Sequence, residues 1–356
     1  MTGPAQPRRR VLVVDDSPTT RRLLKRELEK DPLIEVIGLA GDPYEARDLI
    51  VKLQPDVLTM DLEMPRMDGI QFLRRLMHYY PLPVLIFSNH TAEGSEIALE
   101  TLRLGAVDVF AKPDGFNLDG YAATIQRMRS TIKEACSHRP GKPPPSGVAA
   151  SAGPGPNFRR SPTDPNRVVL MGASTGGPQA IETILRVLPE HAPAIVVVVH
   201  MPAGFTHRFA QRLDKVCAPR VSEATRDVVL EQGQVLIAPG DQHVALDRKG
   251  SSFMVRMPDG PPVMGHRPSV EVLFQSGARV GTDRCMGVLL TGMGRDGSTG
   301  LKALRDSKAM TLTQDAETSI VHGMPGEAER IGASCLSCPL DDIAHRIAIW
   351  WNEEDH

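Results

Sequence analysis

The chain has 356 residues, room for about two domains at roughly 150 residues each. Hydrophobic residues make up 41% and charged residues 24%, an ordinary composition for a soluble globular protein. With 41 basic and 43 acidic residues the net charge is −2, which excludes a global electrostatic pull toward nucleic acid or an anionic membrane.

At the N-terminus, MTGPAQPRRR leads into an apolar run over 11–14 that Asp15 and Asp16 cut short, so it does not read as a signal peptide. No apolar run anywhere reaches the roughly 18 residues of a membrane span. Short apolar runs then fall at 10–14, 34–40, 57–60, 84–88 and 107–110, separated by helical patterns at 18–29, 44–52, 69–78 and 93–104. This alternation predicts a parallel sheet of five strands with helices on both faces.

The strand ends of this half carry chemistry. Asp15 and Asp16 follow the first predicted strand and Asp61 the third; Ser88 ends the fourth, and Lys112-Pro113 ends the fifth. In an open parallel sheet the carboxyl ends share one edge, where ligands bind. Three carboxylates, a hydroxyl and an ammonium should therefore converge. Carboxylates this close repel one another unless a cation lies among them, and hard oxygen donors suit Mg²⁺. An aspartate beside Mg²⁺ and a lysine is chemically a phosphoryl acceptor, because both cations neutralise the transferring oxygens. Singly, each acid reads equally as a turn or cap residue, as in Asp16-Ser17-Pro18. Five such positions in this order favour a site.

Residues 136–166 change character. Prolines stand at 140, 143, 144, 145, 154, 156, 162 and 165 among Gly, Ser and Ala. Such a tract buries too little apolar surface to offset chain entropy and reads as a linker. It separates an N-terminal domain at 8–135 from a C-terminal one at 167–350.

The C-terminal half repeats the alternation. Strand candidates lie at 168–171, 194–200, 234–238 and 286–291, helical patterns at 178–188, 204–214, 268–280 and 299–308, and a candidate hairpin around 243–257. Gly172-Ala173-Ser174-Thr175-Gly176 fits G-x-S-x-G, which exposes a serine on a sharp strand-to-helix turn. The helix N-terminus behind it offers N–H groups to a developing oxyanion. A turn of this kind can also cradle phosphate or simply reverse the chain, so its partners decide. His200 ends the apolar strand AIVVVVH on the same edge, and histidine is the usual base near neutral pH. Asp296 follows GVLLTGMGR at another strand end and suits the group that orients the imidazole. The order Ser…His…Asp differs from the Ser…Asp…His of α/β-hydrolases, which points to an unrelated sheet. Near the C-terminus, Cys335 and Cys338 form one C-x-x-C pair with no second pair beside it. They read as small core residues of a strand rather than zinc ligands, and five unpatterned cysteines fit reduced thiols.

The N-terminal pattern closely resembles the receiver domain of two-component response regulators over about residues 8–135. The resemblance implies a flavodoxin-like fold with Asp61 as phosphoacceptor. Mg²⁺ would be bound at Asp15, Asp16, Asp61 and the backbone carbonyl of Glu63, with Ser88 and Lys112 on the phosphoryl oxygens. Many receivers carry a switch aromatic where Val109 stands. Phe110, one residue later, faces the other side of its strand, so a rotamer switch lacks its aromatic.

Downstream, HMPAGFTHRFAQRLD, VLIAPGDQHVAL, HRPSVEVLFQSGA, LLTGMGRDGSTGLKAL and QDAETSIVHGMPGEA together resemble the chemotaxis protein-glutamate methylesterase/protein-glutamine glutaminase (CheB) family. That resemblance implies an α/β catalytic domain with a seven-stranded, mostly parallel sheet and a Ser174–His200–Asp296 triad. It further implies a phosphorylation-regulated serine hydrolase that demethylates glutamate esters, and deamidates glutamines, on chemoreceptor cytoplasmic helices. The backbone N–H groups of Thr175 and Met293 would hold the oxyanion, and the esterase half would need no cofactor. Its partners would be chemoreceptors as substrate and a chemotaxis histidine kinase as phosphodonor. A cytoplasmic monomer with no nucleic acid and no inserted membrane segment is expected. The family often has Gln where Val199 stands, which alters packing beside the imidazole. The rival readings are a receptor-binding adaptor without catalysis and a DNA-binding response regulator; the latter needs a basic recognition helix, and none stands out.

Overall fold

The computed structural model describes residues 7–64, 66–89, 96–112, 118–135, 156–158, 167–201, 203–280 and 284–353. The chain divides into two compact units, Met1–Val148 and Ala149–His356.

In the first unit, β1 (Arg9–Val14), α1 (Pro18–Leu28), β2 (Ile34–Ala40), α2 (Pro43–Leu53), β3 (Val57–Met60), α3 (Gly69–Tyr79), β4 (Val84–Ser88), α4 (Glu96–Arg103), β5 (Asp108–Ala111) and α5 (Leu118–Ala135) follow in turn. The strands order as β2-β1-β3-β4-β5 and every pair is parallel, the flavodoxin-like arrangement. Val11 to Val14 and Val84 to Phe87 are buried, since both faces of the sheet are covered. Helix starts obey local chemistry. The Ser17 hydroxyl accepts from Thr20 N–H ahead of Pro18, and Asp42 accepts from Tyr44 and Glu45 N–H ahead of Pro43. Residues 93–95 of the expected fourth helix lie outside the described residues. Phe110 is buried beneath the Arg127 guanidinium, 5.3 Å from the ring centre, whereas Val109 packs half-buried on the opposite core. The two side chains thus part as the strand period requires.

Of the tract expected as a linker, 136–155 and 159–166 lie outside the described residues. Pro156 to Phe158 belong to the second unit: Phe158 is buried there, its carbonyl 3.2 Å from His191 Nε2, and the Asn157 carbonyl accepts from Asn352 Nδ2 at 2.6 Å. Apolar contacts in this unit therefore begin earlier than composition indicates.

The second unit runs β6 (Val168–Ala173), α6 (Gly177–Arg186), β7 (Ala194–Val199), α7 (Phe205–Val216), β8 (Arg220–Glu223), β9 (Val228–Val229), β10 (Gln234–Ile237), β11 (Ala245–Lys249), β12 (Ser252–Arg256), α8 (Val270–Val280), β13 (Cys285–Leu289), α9 (Ser298–Asp306), β14 (Met310–Gln314), α10 (Gly323–Arg330), β15 (Leu336–Cys338) and α11 (Leu340–Asn352). Seven strands order as β15-β14-β13-β6-β7-β10-β8, all parallel. The expected hairpin is β11–β12, extended antiparallel by β9. Strand β6 comes first in the chain yet lies mid-sheet, with β7 on one flank and β13 on the other. That is a topological switch point, where ligand sites open.

The unit's two ends are tied together. The Arg167 guanidinium, just ahead of β6, donates to the Trp350 and Glu353 carbonyls and lies 5.4 Å from a Trp350 ring centre. The four described cysteines are free thiols. Cys338 is buried in β15 as expected, but Cys335 is exposed, because it precedes the outermost strand of the sheet. No helix among the described residues is long and apolar enough to cross a membrane.

Candidate active site

Across β6 and β7, Ala173 pairs with Val199, so Ser174 and His200 are the next residues on adjacent strands. The His200 N–H donates to the Ala173 carbonyl at 3.2 Å. Ser174 is half-buried and fixed through its backbone: its N–H donates to Thr291 O (3.0 Å), and its carbonyl accepts from Gly177 N–H (2.7 Å). Gly176 turns the chain into α6 at φ +77°, a conformation glycine adopts without strain.

A second glycine fits this turn by its size. A Cβ on Gly292 would lie 2.9 Å from Ser174 Cβ and 2.4 Å from Met324 Sδ. Gly292→Ala is therefore expected to push the serine turn aside, with turnover falling at least tenfold and stability by about 1–3 kcal/mol, the usual cost of overpacking. Steady-state kinetics and thermal melting check this; wild-type turnover would mean the serine turn tolerates the methyl.

The His200 side chain is 8% exposed, and its Nε2 lies 2.7 Å from Asp296 Oδ2. The other ring nitrogen, Nδ1, is buried without a hydrogen-bond partner among the described residues. The His266 ring stacks on the imidazole, centroids 3.8 Å apart and planes 4° from parallel. His266 is carried there by a tight turn: it exchanges two 3.0 Å backbone bonds with Val263, and Met264 and Gly265 between them take φ of 51° and 85°.

Asp296 is buried and fully engaged. Oδ1 accepts from the Ser269 hydroxyl (2.7 Å) and Glu271 N–H (3.0 Å), and Oδ2 from Val270 N–H (2.7 Å) besides His200. Those two N–H groups open α8, where a negative charge is favoured. Burial alone would raise its pKa, but the hydrogen bonds from His200, Ser269 and Glu271 outweigh this and hold it below the ordinary aspartate value. An ionised carboxylate only accepts, so a neutral imidazole in this orientation would carry its proton on Nε2 and its lone pair on Nδ1.

Thr175 adjoins the serine, and Thr291 Oγ1 lies 3.0 Å from its carbonyl. Thr291 N–H donates in turn to Gln314 Oε1 at 2.9 Å. Met293 follows Gly292, whose N–H donates to Val321 O and whose carbonyl accepts from Met324 N–H. Both residues expected at the oxyanion thus lie on loops beside Ser174. Sequence reasoning missed Ser269, His266, Thr291 and Gln314. Only Ser269, a cap-type residue directly before a helix, left a local signal.

The acid cluster of the first unit stands at its own strand ends. One carboxylate oxygen from each of Asp15, Asp16 and Asp61 lies within 4.8 Å of the others; Asp15 and Asp61 are buried and Asp16 is exposed. Asp61 Oδ1 accepts from Leu62 N–H (2.7 Å) and Glu63 N–H (3.2 Å), while Lys112 Nζ contacts Asp61 Oδ2 and, at 2.8 Å, Asp15 Oδ2. Ser88 is fully buried at the end of β4, and the Lys112 ammonium lies 5.8 Å from the Phe87 ring centre. Burial raises the Asp15 pKa despite the lysine. For Lys112, burial would lower the pKa, but hydrogen bonds to Asp15 and Asp61 overcome it and hold it up. Three carboxylates against one ammonium leave excess negative charge on hard oxygen donors, a set that fits Mg²⁺. Pro113 lies outside the described residues.

Comparison with known proteins matches residues 169–347 to the family described as CheB methylesterase and residues 11–118 to the response regulator receiver domain. The protein-glutamate methylesterase/protein-glutamine glutaminase of Syntrophotalea carbinolica is 44% identical over 339 residues, covering 95% of this chain and 96% of its own. The Bordetella parapertussis protein of the same description is 43% identical over 349 residues, 98% of each chain. Among solved structures, the Thermotoga maritima CheB methylesterase catalytic domain is 33% identical with a TM-score of 0.50, covering 52% of this chain and 98% of that one.

Proposed function

This chain belongs to the CheB methylesterase family, and from that premise we propose that Ser174, His200 and Asp296 are its nucleophile, general base and orienting acid. It is a protein-glutamate methylesterase/protein-glutamine glutaminase of chemotaxis with a receiver domain in front. One observation carries the residue roles. The imidazole at the strand end beside Ser174 is bonded to a buried carboxylate through Nε2, while its buried Nδ1 has no partner among the described residues.

In this reading Nδ1 of His200 takes the Ser174 hydroxyl proton as Oγ attacks the γ-carbonyl of the modified glutamate. The backbone N–H groups of Thr175 and Met293 hold the oxyanion. His200 gives the proton to the methoxy oxygen of the tetrahedral intermediate, or to the amide nitrogen when the substrate is glutamine, as the C–O or C–N bond breaks and methanol or ammonia leaves. A water activated at the same Nδ1 then hydrolyses the glutamyl-enzyme. Asp296 keeps the ring in the tautomer with its proton on Nε2 and stabilises the imidazolium. The substrate side chains would be those of chemoreceptor cytoplasmic helices.

Phosphorylation would fall on Asp61, with a chemotaxis histidine kinase as phosphodonor. Asp15, Asp16, Asp61 and the Glu63 carbonyl would hold Mg²⁺, which when bound neutralises charge on the phosphoryl oxygens. Ser88 and Lys112 would bind those oxygens directly. Residues 8–135 form the receiver in this assignment and 167–350 the catalytic domain of a cytoplasmic monomer, with 136–166 between them, of which Pro156 to Phe158 pack on the catalytic unit.

The test is release of labelled methanol from methylated chemoreceptor membranes by the full chain. Release is expected, and a small phosphodonor with Mg²⁺ should raise it about 5–150-fold, the usual range for coupled sites. Absence of methanol in both states would overturn the activity; release untouched by the phosphodonor would overturn the regulation.

A further inference from the structure

We propose that Glu271 is a positioning residue for Asp296, gripping the start of the helix that follows it so that the carboxylate stays aimed at His200. The proposal rests on the reading of Asp296 as the orienting acid. Helices begin with N–H groups that have no partner inside the helix. The N-cap of α9 is Gly297, with no side chain to satisfy them. Glu271, in the first turn of α8, supplies the missing acceptor: Oε2 accepts from Gly300 N–H at 2.9 Å and Oε1 from the Thr299 hydroxyl at 2.7 Å. Asp296, just ahead of α9, caps α8 in return through Val270 and Glu271 N–H. The two helix starts have exchanged carboxylates.

Three features make the exchange more than a packing detail. Glu271 is only 8% exposed, and among the described residues its oxygens bond no cation. Apart from Gln275 on its own helix (3.0 Å), its donors all belong to α9, so the buried charge depends on that helix staying in place. A Cβ on Gly300 would lie 2.7 Å from Phe274 Cβ, so the helices can approach this closely only at a glycine. The turn bearing Asp296 is short: Gly297, at φ +82°, leads at once into α9. A drift of the α9 start thus moves the carboxylate on the imidazole, and displacements near 1 Å at a reacting centre cost about 100-fold in rate.

The experiment is a mutant cycle in the full chain. Glu271→Ala and Glu271→Gln are made in the wild-type and Asp296→Asn backgrounds. Turnover and KM with methylated receptor are measured, with the rate of fluorophosphonate labelling as a second readout. Glu271→Ala should lower kcat about 10–100-fold with KM within about twofold. Glu271→Gln keeps one carbonyl acceptor and should recover most of that loss. In the Asp296→Asn background the same changes should add less than about twofold, since the group they aim is already disabled. If the alanine variant fails to fold, the glutamine cycle carries the test: a residual loss of about two- to fivefold in kcat, again absent beside Asp296→Asn. Wild-type turnover in the folded variants, or an equal loss in both backgrounds, overturns the proposal. Failure of the underlying reading shows separately, as wild-type turnover in Asp296→Asn alone.

Discussion

Ser174→Ala is expected to lower methyl ester hydrolysis by about 10⁴–10⁶-fold, the scale on which serine enzymes lose turnover without their nucleophile. The structural cost should be small. Ser174 is fixed through its backbone, by Thr291 O and Gly177 N–H, and alanine keeps both bonds. The melting temperature should therefore stay within about 2 °C of wild type, as for a surface change of under 0.5 kcal/mol. Some rate above the uncatalysed reaction should survive, because oxyanion donors and substrate binding persist when a triad member is lost. Methanol release under single-turnover conditions measures the loss, and intact mass after fluorophosphonate treatment shows whether the label is gone. A variant that stays within tenfold of wild type, or still takes the label, would mean that another residue attacks.

Asp61→Asn should abolish phosphoryl uptake by the receiver. An amide oxygen is a poor nucleophile, and the substitution also removes one of the two carboxylates beside Lys112. Wild-type protein should incorporate label from a small phosphodonor with Mg²⁺ and lose that capacity when a chelator removes the metal, whereas Asp61→Asn should incorporate none in either case. Methanol release by Asp61→Asn should remain at the unstimulated level whether or not the phosphodonor is present. Labelling equal to wild type would place the acceptor elsewhere, with Asp15 and Asp16 the next carboxylates to examine.

The strands that carry the proposed chemistry were readable because they are buried on both faces. Runs such as AIVVVV and VLIF are continuous apolar blocks, and the polar residue ending each block marks the sheet edge. Ser174, His200, Asp15 and Asp61 could be found in this way, and Asp296 as the first acid after the block that ends at Leu290. Strand β14 could not: MTLTQ alternates threonine with larger side chains, and its threonines are buried by bonding to Ala333 O, Glu329 and Ser334 rather than by apolar packing. The surroundings of Asp296 were equally hidden. Its donors lie about 26 residues upstream, and only folding brings the start of α8 against the turn before α9. The stack of His266 on His200 also depends on a turn whose geometry no periodicity reports, and the choice of Nε2 as the carboxylate-facing nitrogen exists only in three dimensions.

The tie between Arg167 and the Trp350 and Glu353 carbonyls bears on how this unit can be rearranged. Where the entry and exit of a fold meet, the order of its segments along the chain becomes a convention rather than a constraint. A short peptide joining the region of Asn352 to that of Asn157, already hydrogen-bonded to each other, would allow the chain to be opened at an exposed bend elsewhere, such as the Gly250 turn between β11 and β12. The same adjacency would let the unit be joined to a host chain through a single junction. It also makes the last turn of α11 a keystone: trimming the chain before Trp350 would free the guanidinium at the head of β6, the strand that delivers the serine.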